Sequence, residues 1–239
     1  MPTPRYLLQA AGILLLAGQA FAQDPGPPAA GDPAAGPPAA GPVVDLYRKA
    51  TAASAAFYNG REYTVMEFRP TGHQFFESMD WQPASLTFDG GLYNDVPLVY
   101  DIYRDLVVVR YSSGYQRLIL PGIGVSSFRI GTHRFVRLEK DIRPGFYEVL
   151  YEGKTPLYCK RMKERREDLS EQRVNIIYTE KDSYFVRKDG KYLSVKNRKA
   201  IWAAFPEKKR ELRKYLRKLP FRDNWEEALT QLIAHYDQI

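Results

Sequence analysis

The stretch Gly145-Phe146-Tyr147-Glu148-Val149-Leu150-Tyr151-Glu152-Gly153-Lys154-Thr155-Pro156-Leu157-Tyr158-Cys159-Lys160 decides the fold class. Its first seven residues are rich in aromatic and aliphatic side chains. Glu152-Gly153-Lys154 then supplies a turn, and Leu157 and Cys159 fall on one face of a second run. Two such runs joined by a short polar turn read as an antiparallel hairpin.

The same pattern extends outward from Glu62 to Val195. Candidate strands on the N-terminal side are Tyr63–Phe68, Ala84–Phe88, Leu98–Tyr103, Leu106–Tyr111, Gln116–Leu120, Ser127–Ile130 and Arg134–Glu139. Beyond Gly145–Tyr151 and Leu157–Met162 come Asn175–Glu180, Ser183–Arg187 and Tyr192–Val195. Asp89-Gly90-Gly91, Ser112-Ser113-Gly114, Gly131-Thr132 and Asp189-Gly190-Lys191 mark further turns, because glycine accepts the positive φ of a tight hairpin. The short motif at Phe88–Gly91, Tyr151–Lys154 and Lys188–Lys191 recurs at unequal spacing, so it marks hairpins and not a repeat. No helix-length segment separates the strands, which excludes parallel α/β folds. The expectation is an antiparallel β-meander of about 10–12 strands, closed or half-open into a barrel-like sheet.

Helical spacing appears at the two ends. Leu46, Ala50, Ala53 and Phe57 predict a helix over Val44–Phe57, ended at Tyr58-Asn59-Gly60. Pro206 suits a first helical position, with Leu212, Tyr215, Leu216 and Leu219 on one face and Pro220 closing the helix. Asp223 or Asn224 caps a last helix whose apolar face is Trp225, Ala228, Leu229, Leu232, Ile233 and Tyr236. The fold class is therefore α+β, with one N-terminal helix and two or three C-terminal helices, the last laid on the outside of the sheet.

Arg5 precedes the apolar run Tyr6–Ala17, and Ala20-Phe21-Ala22 then offers a small-x-small cleavage site. This describes a secretory signal peptide, since a run of 12 residues falls short of the ~20 that cross a bilayer. No cysteine near the cleavage site offers a lipid anchor. Residues 1–22 are read as the signal peptide and 23–43, a proline-, alanine- and glycine-rich tract, as a disordered tether. Residues 44–239 form one β-rich domain. The expected location is periplasmic or extracellular.

Tyr58-Asn59-Gly60-Arg61-Glu62-Tyr63, Gly72-His73-Gln74-Phe75-Phe76, Leu98-Val99-Tyr100-Asp101, Phe146–Lys154 and Phe205–Lys214 resemble a family of uncharacterised secreted proteins from Bacteroidota. The resemblance covers roughly Leu46 to the C-terminus. It implies export and the domain limits, and it carries no activity or site residues.

Among candidate chemistries, His73 with Glu77, Ser78 and Asp80 has the residue types for acyl transfer or glycoside cleavage, but no nucleophile or metal-ligand motif frames them. They read as a loop bracing the sheet, with Phe75, Phe76 and Trp81 as plugs. His73, His133 and His235 lie far apart with no ligand spacing, so no metal or cofactor is expected. Gly122–Ser126 lacks the third glycine and the helix of a phosphate loop. Cys159 reads as a buried structural thiol. The 32 aromatic residues either fill a barrel or line a cavity.

Charge is the strongest functional pointer. Residues 151–220 carry 21 Lys and Arg against 10 Asp and Glu, while the whole chain carries only +7. Such a field gathers anions, and export argues against nucleic acid. On the Glu207–Leu219 helix, Lys208, Lys209, Arg210, Arg213, Lys214, Arg217 and Lys218 form the candidate binding surface, opposed only by Glu207 and Glu211. The expected function is a non-enzymatic exported envelope protein that binds an anionic or amphipathic partner, such as anionic lipid or an acidic envelope protein. Two alternatives stand beside it: a carrier holding lipid or another apolar ligand in a sheet cavity, and a hydrolase of unrecognised type.

Overall fold

Asp89-Gly90 and Asp189-Gly190 take positive φ at both positions, 46° and 77° in the first pair and 49° and 78° in the second. Those are the angles of a two-residue type I′ hairpin turn, and each pair joins two strands in register. The computed structural model describes residues 60–64, 70–110, 116–169, 174–219 and 224–239. The expected signal peptide, tether and N-terminal helix lie outside the described residues. So do most of Tyr63–Phe68, the Ser112–Gly114 turn, Pro220 and Asp223.

The strands are β1 (Arg61–Glu62), β2 (Gln82–Phe88), β3 (Gly91–Asp101), β4 (Leu106–Arg110), β5 (Arg117–Ile119), β6 (Val125–Ile130) and β7 (His133–Leu138). They continue as β8 (Gly145–Tyr151), β9 (Leu157–Lys160), β10 (Lys163–Asp168), β11 (Asn175–Glu180), β12 (Ser183–Lys188) and β13 (Lys191–Ser194). Three helices close the chain: α1 (Arg198–Ala204), α2 (Lys209–Leu216) and α3 (Trp225–Gln238). The class is α+β, as expected. Asn197 and Asn224 cap α1 and α3 by accepting the backbone N–H of Ala200 and Glu227.

Eleven strands form one sheet in the order β1-β5-β4-β3-β2-β6-β7-β8-β9-β12-β13, and every strand pair in it is antiparallel. The meander is interrupted three times, first where β1 pairs with β5 and not with β2. After β5 the chain returns to pair β6 with β2, and β9 pairs with β12 because β10 and β11 leave to form a two-stranded arm. The Thr71 backbone lies along that arm in a single parallel bridge to Ile177.

The sheet curls strongly without closing. Three strands separate β3 from β8, a distance of about 19 Å in a flat sheet. Yet the rings of Tyr100 and Phe146 meet at 5.9 Å across the concave side. Phe76, Phe128 and Phe135 complete this aromatic core, Phe128 stacking on Phe135 at 4.8 Å. The rings thus occupy the concave side that a carrier would need empty.

Closure into a barrel, one of the expected forms, does not occur, and the helices show why. Glu148 pairs with Phe135 on one side and Cys159 on the other, which puts Phe135, Glu148, Cys159 and Leu157 on a single face. Leu157 and Val186 on that face pack under Ile201, Phe205, Leu212, Leu229, Leu232 and Ile233. The helices therefore cover the inner face of the C-terminal strands and not the outside of the sheet. They take the space a far strand would need to reach β13.

A smaller third cluster covers the opposite face, where Phe75 and Tyr63 pack on Val99 and Val108, with Trp81 half-buried beside them. Phe75 and Phe76 thus plug opposite faces of the sheet, a division that the expectation of a bracing loop did not include.

Candidate functional site

The basic residues singled out by charge assemble on α2. Lys208 is its N-cap residue, Arg217 its C-cap residue, and Lys218 follows. The helix is shorter than the expected Glu207–Leu219, running Lys209–Leu216, and Glu207 ahead of it binds Lys188 Nζ at 2.5 Å and the Tyr236 hydroxyl at 2.7 Å. Burial opposes the charge on Lys188, but Glu207 outweighs it, and the same contact holds the Glu207 carboxyl down to about 2.

Leu212 and Leu216 bury against the other helices, and Tyr215 stacks on His235 at 3.9 Å. That fixes which side of α2 faces out. Lys209, Arg210, Arg213, Lys214, Arg217 and Lys218 are exposed. Among the described residues Lys208 pairs with Glu211, at 3.7 Å, and Arg213 lies over the Trp202 ring at 5.5 Å. A concavity of about 680 Å³ runs along this face, walled by Lys209, Arg210, Arg213, Lys214 and Arg217 with Pro206 and Glu207 at one end. Guanidinium and ammonium groups so arranged bind phosphate or carboxylate oxygens by charge and hydrogen bonding.

The His73 group does not assemble. Glu77 turns to His133 Nε2 at 3.1 Å, and Ser78 and Asp80 bond to each other in a local turn. His73 Nδ1 is buried without a hydrogen-bond partner among the described residues, and burial followed by the Lys163 ammonium pushes this imidazole down.

A polar knot that the sequence reading missed lies on the inner face between the aromatic core and the helix core. Arg161 binds Glu148 at 2.5 Å, Asp182 at 2.5 Å and Glu226 at 2.7 Å. Glu148 also meets His133 Nδ1 at 2.5 Å, and the Tyr184 hydroxyl donates to Glu226. Burial opposes the charge on Arg161, but Glu226 and the other carboxylates hold it above the usual arginine range. Both nitrogens of His133 face carboxylates, Glu148 at Nδ1 and Glu77 at Nε2, and neither contact involves His73.

Cys159, Asp182 and Glu226 bring one potential metal-ligand atom each within 4.8 Å of one another. Arg161 already engages both carboxylates, and burial pushes the Cys159 thiol well up, away from the thiolate that metals bind. The residue types fit a guanidinium better than a metal. One sequence cue was available: Glu148 is a charge at an inward position of an otherwise apolar alternation, and such a charge needs a buried partner.

Comparison with protein-family models, with curated proteins and with solved structures finds no match for this chain.

Proposed function

We propose that the protein is an exported, non-enzymatic binding protein that attaches to the anionic lipid surface of an envelope membrane through α2. One observation carries this reading. Lys209, Arg210, Lys214, Arg217 and Lys218 are exposed and have no ion-pair partner among the described residues, although the protein holds carboxylates on many other cations. Uncompensated cations on one helix face repel each other unless an anion lies against them. Near an anionic surface each contributes about 1 kcal/mol, so five give an attachment of useful strength. The apolar residues of α2 are taken by the core, so attachment is electrostatic and does not insert the helix. No helix among the described residues is long and apolar enough to cross a membrane.

Sedimentation with phosphatidylglycerol–phosphatidylcholine vesicles tests the reading. The wild-type protein is expected to sediment at low salt and to be released as salt shortens the field. Arg213→Glu, Lys214→Glu and Arg217→Glu together abolish sedimentation with little change in melting temperature. If the wild-type protein stays in the supernatant at low salt, attachment to lipid is refuted. Export rests on the N-terminal pattern, and N-terminal sequencing of protein from the producing cell is expected to start at Gln23. A retained Met1 refutes it.

A further inference from the structure

We propose that a second, separate basic cleft at one end of the sheet is a binding site for a small ligand carrying a phosphomonoester or pyrophosphate group. The strand register builds the cleft. Asp101 pairs with Leu106, Leu138 with Gly145, and Lys160 with Ser183, so the β3–β4 turn, the β7–β8 loop and the root of the β10–β11 arm come together at the same end. They enclose about 580 Å³, within the range of small-molecule sites. Seven Lys and Arg side chains line it, against the carboxylates of Asp105 and Glu164.

The floor is preorganised. Lys160 is 6% exposed, and its Nζ donates to Asp105 at 2.7 Å and to the Phe146 carbonyl at 3.0 Å. Asp105 is fixed in turn by the Tyr100 hydroxyl at 2.6 Å. Gly145, at φ +152°, lies directly under this pair, and a Cβ there would collide with both side chains. Two of the three ammonium protons of Lys160 are taken by these partners, and it still lines the cleft.

Most wall cations are held in place by the protein's own groups, and one is not. Arg137 lies over the Phe146 ring at 5.5 Å and bonds Glu139, while Lys163 donates to the Phe75 carbonyl at 2.7 Å. Arg143 is exposed and has no ion-pair partner among the described residues. Asp101, Glu139 and Glu167 pair with lining arginines from outside and Glu180 and Asp182 act on Lys163, so Arg143 is the wall cation left for a ligand. Burial pulls Lys160 and Lys163 below the usual lysine range, against nearby carboxylates, so a bound anion would hold their charge in place.

Several guanidinium forks and ammonium groups around a compact volume suit a tetrahedral anion with many acceptor oxygens better than a single carboxylate. Ile102, Tyr103 and Met162 add an apolar wall for the organic part of the ligand. None of the lining residues belongs to α2, so the inference stands apart from membrane attachment.

Titration calorimetry with inorganic pyrophosphate tests it on three proteins: wild type, Arg143→Ala, and the α2 charge-reversed variant. Saturable binding is expected in the wild type and unchanged in the α2 variant. Arg143→Ala should weaken it by about tenfold, as loss of one charge-assisted hydrogen bond implies. Arg143 is exposed, so its loss leaves folding intact. No saturable heat in the wild type overturns the proposal, as does loss in the α2 variant with full binding in Arg143→Ala. A second arm separates the sources of the phosphate. If the α2 variant sediments with phosphatidic acid vesicles and pyrophosphate releases it, the site takes a lipid headgroup. If it binds pyrophosphate and does not sediment, the site takes a soluble phosphate compound. Either result supports a phosphate site.

Discussion

Replacing Arg161 by methionine keeps much of the side-chain volume and removes the charge at the centre of the polar knot. Three carboxylates then face one another. Their side chains are 5% (Glu148), 18% (Asp182) and 31% (Glu226) exposed, so water replaces the guanidinium poorly. Breaking a buried ion pair by removing one partner costs about 3–5 kcal/mol, and His133 still covers one oxygen of Glu148, which argues against a larger figure. For a domain of 150–250 residues that lowers the melting temperature by roughly 6–20 °C. The deficit should depend on pH with a definite sign. Three carboxylates left without their shared counter-charge repel one another when ionised and not when protonated, so the deficit is expected to be larger at pH 7.5 than at pH 5. Urea unfolding followed by tryptophan fluorescence at pH 5 and pH 7.5 reads both effects. A variant within about 1 kcal/mol of wild type at pH 7.5, or a deficit equal at the two pH values, would refute the view that Arg161 neutralises this knot.

Leu229→Ala or Leu232→Ala should each cost about 2–5 kcal/mol, because both side chains are fully buried between α3 and the sheet. Mutants that melt like wild type would mean the α3 face is not a folding element. Glu207, held at about 2 by Lys188 and Tyr236, contributes stability above the unfolded glutamate range that is lost as pH falls from about 4.5 toward 2. Glu207 is exposed, so solvent screening keeps the contribution to at most about 1 kcal/mol. Glu207→Gln should flatten that limb of the acid unfolding curve, and an unchanged limb would remove Glu207 from it.

Most strands were legible because their cues are local. β8 was expected at the residues where it occurs, and β4, β6, β7, β11 and β12 within two residues at either end. The exceptions are β1, whose Arg61-Glu62 precede the expected start at Tyr63, β3, which begins seven residues before the expected Leu98, and β10. Lys163-Glu164-Arg165-Arg166-Glu167-Asp168 is charged at every position, so no alternation marks it. It pairs only with β11 in the arm, where no apolar face is required. α1 was also missed. Seven residues burying Ile201 and Ala204 give too short a periodicity to read, although Asn197 was a visible cap.

The candidate surface on α2 was legible as a run of charge, since seven cations in eleven residues cannot all find carboxylates on a short helix. The polar knot and the basic cleft were not. Arg161 meets a strand residue 13 positions before it and helix residues up to 65 positions after it, and Lys160 meets Asp105 55 positions before it. No spacing rule links such distances.

What the sequence alone determined is the menu of elements: period-two runs, Asp-Gly turns with positive φ, capped helices, and the uneven charge. Each depends on residues within one turn or one strand of each other, where sterics and side-chain direction leave few choices. Tertiary structure decided which elements became neighbours. β6 turned back to β2, β9 passed over the arm to β12, and the helices took the inner face and held the sheet open. Apolar faces are chemically interchangeable, so local pattern cannot choose among partners. The choice rests on how the whole set of faces is buried at once, and that packing also brought the distant charges of the knot and the cleft together.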